Sequence, residues 1–117
     1  MTIDELIVEA LAAKDRFWFV QTLQVRERTD ATVTLRFTIG PALFVQVFFS
    51  QRSGRLSFAL VGISGRLYGR DREHGLWHRH PFGQPEQHEP TPEGISSQPI
   101  RQFLVEVEEI LCAYDLI

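Results

Sequence analysis

The sequence predicts an α+β domain: a five-stranded antiparallel β-meander with an N-terminal and a C-terminal helix packed on one face. Three observations carry this reading. Apolar residues recur with helical spacing at both ends of the chain, over residues 3–14 and again from Pro99. Between those ends lie short runs that either alternate apolar with polar residues or are continuously apolar, each bounded by turn residues. Strands joined by short turns form a meander, and only the two helices are available to cover its apolar face. With 117 residues, the chain reads as one domain over 1–117.

Each element has a local justification. Thr2 and Glu5 make a capping-box pair ahead of Ile3, Leu6, Ile7, Ala10 and Leu11, which predicts an amphipathic helix over 3–14. Arg16 to Glu27 is aromatic and β-branched (Phe17, Trp18, Phe19, Val20, Leu23, Val25) and reads as the first strand. Thr29-Asp30-Ala31 is a turn. Thr32 to Ile39 then alternates, with Val33, Leu35, Phe37 and Ile39 on one face and Thr32, Thr34, Arg36 and Thr38 on the other. Gly40-Pro41 ends that strand. Leu43 to Phe49 is apolar apart from Gln46 and too short for a helix, so it reads as a central strand. Leu56 to Ile63 follows the Ser53-Gly54 turn. Ser64-Gly65 fits a two-residue hairpin, and Leu67 and Tyr68 open a fifth strand that runs into a histidine- and arginine-rich loop over 69–90. Residues 81–98 read as loop. From Pro99, a residue suited to a first helical turn, Ile100, Phe103, Leu104, Val107, Ile110, Leu111 and Tyr114 keep helical spacing.

Composition narrows the class. Apolar residues make up 44% and charged residues 23%, which are globular values. No run approaches the ~18 apolar residues of a membrane span, and the acidic start Met-Thr-Ile-Asp-Glu lacks a signal-peptide core. A lone cysteine, Cys112, cannot form an internal disulfide, so a cytoplasmic location is expected. The net charge of −3 conceals a segregation: residues 52–80 carry six arginines against two carboxylates, whereas residues 81–117 carry seven carboxylates against Arg101 alone. The middle is suited to an anion and the tail to a basic partner. Eleven of the twelve cations are arginine, whose fork matches phosphate and carboxylate.

All four histidines (His74, His78, His80, His88) fall within fifteen residues. Imidazole titrates near neutral pH and is the commonest metal ligand. Three readings stand side by side. In the first, His78 and His80 are an acid–base pair acting on RNA without a metal, with Asp71 and Glu73 as the nearby carboxylates. Arg70, Arg72 and Arg79 hold phosphate and Trp77 stacks a base. In the second, Asp71, His74, His78 and His80 bind a metal, since His-x-His on an extended segment puts both rings on one face; the adjacent arginines oppose a cation. In the third, the segment is structural, with Gly75 supplying a positive φ and Trp77 plugging the loop. His88, flanked by Glu86, Glu89 and Pro90, reads as an ordinary loop residue. No organic cofactor is expected.

The segment Tyr68-Gly69-Arg70-Asp71-Arg72-Glu73-His74-Gly75-Leu76-Trp77-His78-Arg79-His80-Pro81-Phe82-Gly83, with Glu86 beyond it, resembles the signature of TumE-like proteins, toxin components of toxin–antitoxin modules. That pattern has a Gly-x-Asp-Asn-Glu-like turn, a Gly, His-x-His, a Gly and an acidic residue, followed by a loop and an amphipathic helix. Asp71, Glu73, Gly75, His78, His80, Gly83 and Glu86 match it, and Arg101 to Leu111 is similar to the closing helix. Arg72 departs from the usual Asn, and Trp77 from a polar residue. The likeness covers about the last fifty residues. It implies a cytosolic growth-arresting toxin held in check by a cognate antitoxin, usually a small helix-turn-helix DNA-binding protein. The alternatives are a non-catalytic protein-binding module and a metal-dependent hydrolase. Exposed edge strands would allow a homodimer.

Overall fold

The computed structural model describes Met1 to Ile117 apart from Glu93 and Ser96, two residues of the stretch expected to be loop. Helix α1 spans Ile3–Arg16. Its start is fixed by both halves of the capping box: the Glu5 N–H donates to Thr2 Oγ1 at 3.1 Å and the Thr2 N–H to Glu5 Oε1 at 2.8 Å. Ile3, Leu6, Ala10 and Ala13 form its buried stripe.

The strand expected from Arg16 begins later. Phe17 is the extended cap of α1, and residues 17–20 turn the chain, the Val20 N–H donating to the Phe17 carbonyl at 3.2 Å. Phe17 and Phe19 are tucked into the core while Trp18 stays exposed. This reproduces the alternation of a strand within a turn. Strand β1 is Thr22–Arg28.

Strands β2 (Thr32–Gly40), β3 (Leu43–Ser50), β4 (Leu56–Gly62), β5 (Gly65–Glu73), β6 (Leu76–His80) and β7 (Glu89–Pro90) follow, and helix α2 is Pro99–Ala113. The fold is α+β, and its sheet has seven strands, each antiparallel to the next in chain order, rather than the five expected. The two additional strands, β6 and β7, lie within 69–90, where loop was expected. Their polar residues hid them, because both faces of β5 and β6 carry charge here.

Two tight turns set the registers. Gly62 pairs with Gly65, so the β4–β5 loop is Ile63-Ser64, one residue earlier than Ser64-Gly65. Glu73 pairs with Leu76 across His74-Gly75, whose φ angles are +52° and +77°. Two successive positive φ values mark a type I′ hairpin, in which Gly75 is unstrained and His74 takes the place usually held by Asn.

Cross-strand partners share a face of the sheet. Val33, Leu35 and Phe37 on β2 pair with Phe49, Val47 and Val45 on β3, which pair in turn with Leu56, Phe58 and Leu60 on β4. All are buried beneath the two helices. Phe103 of α2 stacks on Phe58 at 5.0 Å and on Tyr68 at 5.6 Å, fixing α2 over β4 and β5. The opposite face carries Thr34, Arg36, Phe44, Gln46, Phe48 and Ser57, all half-buried, and no helix among the described residues covers it. Among the described residues no helix is long and apolar enough to cross a membrane.

Candidate functional site

Alternation along β5 and β6 sorts the charged residues onto two faces. The pairs Gly69–His80 and Asp71–His78 face away from the helices, in line with Ser57 of β4, while Arg70–Arg79 and Arg72–Trp77 face toward them. The histidines and the arginines between them are therefore separated by the thickness of the sheet.

Asp71 is the hub of the open-face cluster. Its Oδ1 accepts from Ser57 Oγ at 2.5 Å. Its Oδ2 lies 2.9 Å from His80 Nε2 and 3.3 Å from His78 Nε2. The His80 ring is only 2% exposed, because residues 81–88 fold back over it and the Pro85 carbonyl approaches His80 Nδ1 at 2.9 Å. Arg66 Nη2 donates to the same carbonyl at 3.3 Å. Both His80 nitrogens thus face acceptors, a carboxylate and a carbonyl. Such a contact is made by an N–H or by a bound cation.

The returning loop also delivers His88. One nitrogen from each of His78, His80 and His88 lies within 4.8 Å of the others. The rings meet edge-on or tilted, with centroids 5.3, 5.0 and 4.4 Å apart for 78–80, 78–88 and 80–88. His80 approaches the sheet this closely because Gly69 has no side chain: a Cβ there would lie 2.9 Å from the Phe58 carbonyl oxygen, 3.3 Å from Arg66 Cδ and 3.6 Å from His80 Cδ2. A tetrahedral centre with bonds of about 2.0–2.1 Å holds its ligand atoms roughly 3.3 Å apart. The His78–Asp71 contact, at 3.3 Å, has that spacing, His80–Asp71 is closer at 2.9 Å, and the imidazole nitrogens, within 4.8 Å of one another, would draw together around an ion.

The arginines expected to hold phosphate do other work. Arg70 is buried against α2, donating from Nη1 to Glu106 Oε2 at 3.1 Å and from Nη2 to the Gly94 carbonyl at 2.8 Å. Arg72 donates from Nε and Nη2 to the Gly54 carbonyl at 3.0 and 2.9 Å. Arg79 is paired with Glu89, which holds its guanidinium charge more firmly than usual. Trp77 lies parallel to Phe58 at 6.5 Å with the Arg70 and Arg72 guanidinium carbons 6.0 and 5.5 Å from its ring, on the helix side. It is a plug and cannot stack a base beside His78. Glu73 pairs with Arg55 at 3.3 Å, and His74 sits exposed at the hairpin tip. The metal set expected to include His74 is thus replaced, in space, by one that includes His88. The cation objection also falls for Arg70 and Arg79, whose charges are matched by Glu106 and Glu89, and weakens for Arg72, which is held at the Gly54 carbonyl on the far face.

A second polar network lies under α2. The Tyr68 hydroxyl donates to Glu106 Oε1 at 2.5 Å, and Gln102 Nε2 to Glu106 Oε2 at 2.9 Å. Burial, followed by the Glu106 carboxylate, pushes Tyr68 ionisation well above its ordinary range.

Sequence reasoning missed Ser57 and His88. Ser57 could have been found from register, since the β4–β5 pairing places it opposite Asp71. His88 had no local signal. No protein-family model, curated protein or solved structure matches this chain, so the likeness to TumE-like toxins rests on the residues of the 68–86 segment.

Proposed function

We propose that this chain binds one divalent transition ion, zinc foremost, through His78, His80 and His88 with Asp71, and that the centre supports metal-assisted hydrolysis. The observation that carries this is the convergence of three histidines, one nitrogen of each within 4.8 Å of the others, with the Asp71 carboxylate against the His78 and His80 rings. Imidazole and carboxylate are ligands that suit zinc. With all four side chains bound the site would be closed and structural. With the exposed His88 displaced by water, His78, His80 and Asp71 would leave a position where a bound zinc ion acidifies that water. Exposed His88 sets the direction from which solvent and substrate would enter.

The competing reading uses the same pair without a metal: His78 and His80 as acid and base on RNA, within a toxin restrained by a cognate antitoxin. The closeness of the two rings favours it. The burial of Arg70 and the distant face of Arg72 and Arg79 leave it without the phosphate grip it was expected to have.

The test is zinc titration of the demetallated chain, with cobalt as a spectroscopic probe. One equivalent should bind, His80→Ala and His88→Ala should each weaken it at least tenfold, and cobalt should show tetrahedral bands. Absence of stoichiometric uptake overturns the metal reading. Chelator-insensitive RNA damage that His80→Ala abolishes would install the competing one. Growth arrest on expression, lost in His80→Ala, would tie either chemistry to the toxin role.

A further inference from the structure

Resting on that metal centre, we propose that the open face of the sheet binds single-stranded nucleic acid, laid across β2 to β5 so that a backbone phosphate reaches the exposed His88 side of the centre formed with His78 and His80. The register supplies the track. Arg36 pairs with Gln46, Gln46 with Ala59, Ala59 with Gly69 and Gly69 with His80, which forms one row across five strands. At about 4.8 Å per strand, Arg36 stands roughly 19 Å from His80. Ala59, half-buried, leaves the row low at its middle, and Gly69 beyond it is covered by Arg66 and His80, so the track ends at the rim of the site. A single small ester cannot span that distance, whereas an extended polymer of several units can.

The same face carries flat groups for bases. The Arg36 guanidinium lies 3.9 Å over the Phe44 ring, and Arg55 lies 5.9 Å from the Phe48 ring. Phe48 belongs to the row that continues through Ser57 and Asp71 to His78. Half-buried phenylalanines and guanidinium planes on the uncovered face of an antiparallel sheet are the elements on which single-stranded bases stack. A duplex hides those base faces and would not be bound.

Charge agrees. Arg36, Arg55 and Arg66 line this side, and a bound divalent ion adds to them. Among the described residues, the strand carboxylates on this side are Asp71, engaged by imidazoles and Ser57, Glu73, paired with Arg55, and Glu27 at the far edge opposite Thr34, and Glu86 stands in the loop over His80. Arg36 Nε is a buried donor without a partner among the described residues.

The experiment is fluorescence anisotropy of the zinc-loaded full chain with labelled ten-nucleotide single-stranded RNA and DNA and with the matching duplex. Single strands should bind and the duplex should not. Phe48→Ala should weaken binding about 5- to 100-fold, the loss of one base stack. Phe48→Leu, which keeps the packing and removes the flat ring, should do nearly as much. Arg36→Ala should weaken binding and flatten its salt dependence by about 0.7 in log–log slope. Zinc content should be unchanged in all three variants. Zinc uptake without single-strand binding, or variants that bind like the wild type, overturns the proposal and leaves the metal reading intact. A chain that takes up no zinc sinks the metal reading, and the same anisotropy series on that chain still decides this one. A dimer that Phe48→Ala dissolves and oligonucleotide cannot displace would assign the face to a second copy and overturn it too.

Discussion

Asp71→Ala should destabilise the metal-free protein by about 2–5 kcal/mol, although the residue sits at a site rather than in the apolar core. The magnitude follows from what Asp71 holds. His80 is 2% exposed, and its Nε2 loses its acceptor 2.9 Å away. A buried polar nitrogen left unpaired costs about 1–3 kcal/mol. Because the lost partner is the carboxylate of a buried hydrogen-bonded pair, the cost can reach about 3–5 kcal/mol, that of breaking such a pair. Ser57, half-buried, regains water for its hydroxyl and adds little. Against a typical total of about 5–15 kcal/mol for a domain, this is a large fraction. The assay is urea unfolding in excess chelator at constant pH, followed by circular dichroism and tryptophan fluorescence, for Asp71→Ala, His80→Ala and the double variant. The cycle should return a coupling of about 1–3 kcal/mol. Asp71→Ala within about 0.5 kcal/mol of wild type, or a coupling of zero, would refute the reasoning that the carboxylate anchors the buried ring.

Three further outcomes are expected. Gly69→Ala should cost about 1–3 kcal/mol, because its Cβ meets strand backbone at 2.9 Å, and should reduce zinc affinity at least tenfold by shifting His80; unchanged zinc titration would disprove the role of that contact. Arg70→Ala should cost about 3–5 kcal/mol in unfolding experiments, since it leaves Glu106 without its buried cation, while the folded fraction binds zinc as before; a fall in zinc affinity would mean the two faces communicate. Tyr68 holds its proton more tightly folded than unfolded, so its contribution is complete below its ordinary value of 10.0 and declines as pH rises beyond it, by up to about 1.4 kcal/mol per pH unit. Tyr68→Phe should flatten that alkaline decline in a series of thermal melts from pH 8 to 11, and an identical slope in both proteins would contradict the linkage.

Periodicity made the outer fold legible. Thr32 to Ile39 alternates because one face of β2 is apolar and the other wet, and Pro99 onward repeats as a helix because one stripe of α2 is buried. Periodicity is silent where both faces of a strand are polar. Arg70, Asp71 and Arg72 are three adjacent charges with partners on alternating sides, so β5 and β6 show no apolar period although they are regular strands. Phe17 to Val20 fails in the opposite sense, an apolar alternation made by a turn plugging the core. For the site, residue types were readable and faces were not. The sequence groups His78 and His80 with Asp71 and gives no reason to put the intervening arginines on another surface. Only pairing register separates them. His88 is brought in by a loop whose path depends on tertiary contacts such as those at Pro85.

The His74-Gly75 hairpin has a consequence for any rearrangement of this chain. Within Trp77-His78-Arg79-His80, each neighbour serves the opposite side of the ribbon. Inserting or deleting one residue in that turn would rotate the return strand half a revolution relative to its neighbour. Arg79 would then emerge beside Asp71, and both imidazoles would be driven under the helix. An anion-attracting surface would replace a cation-attracting one, with every side chain of the motif retained.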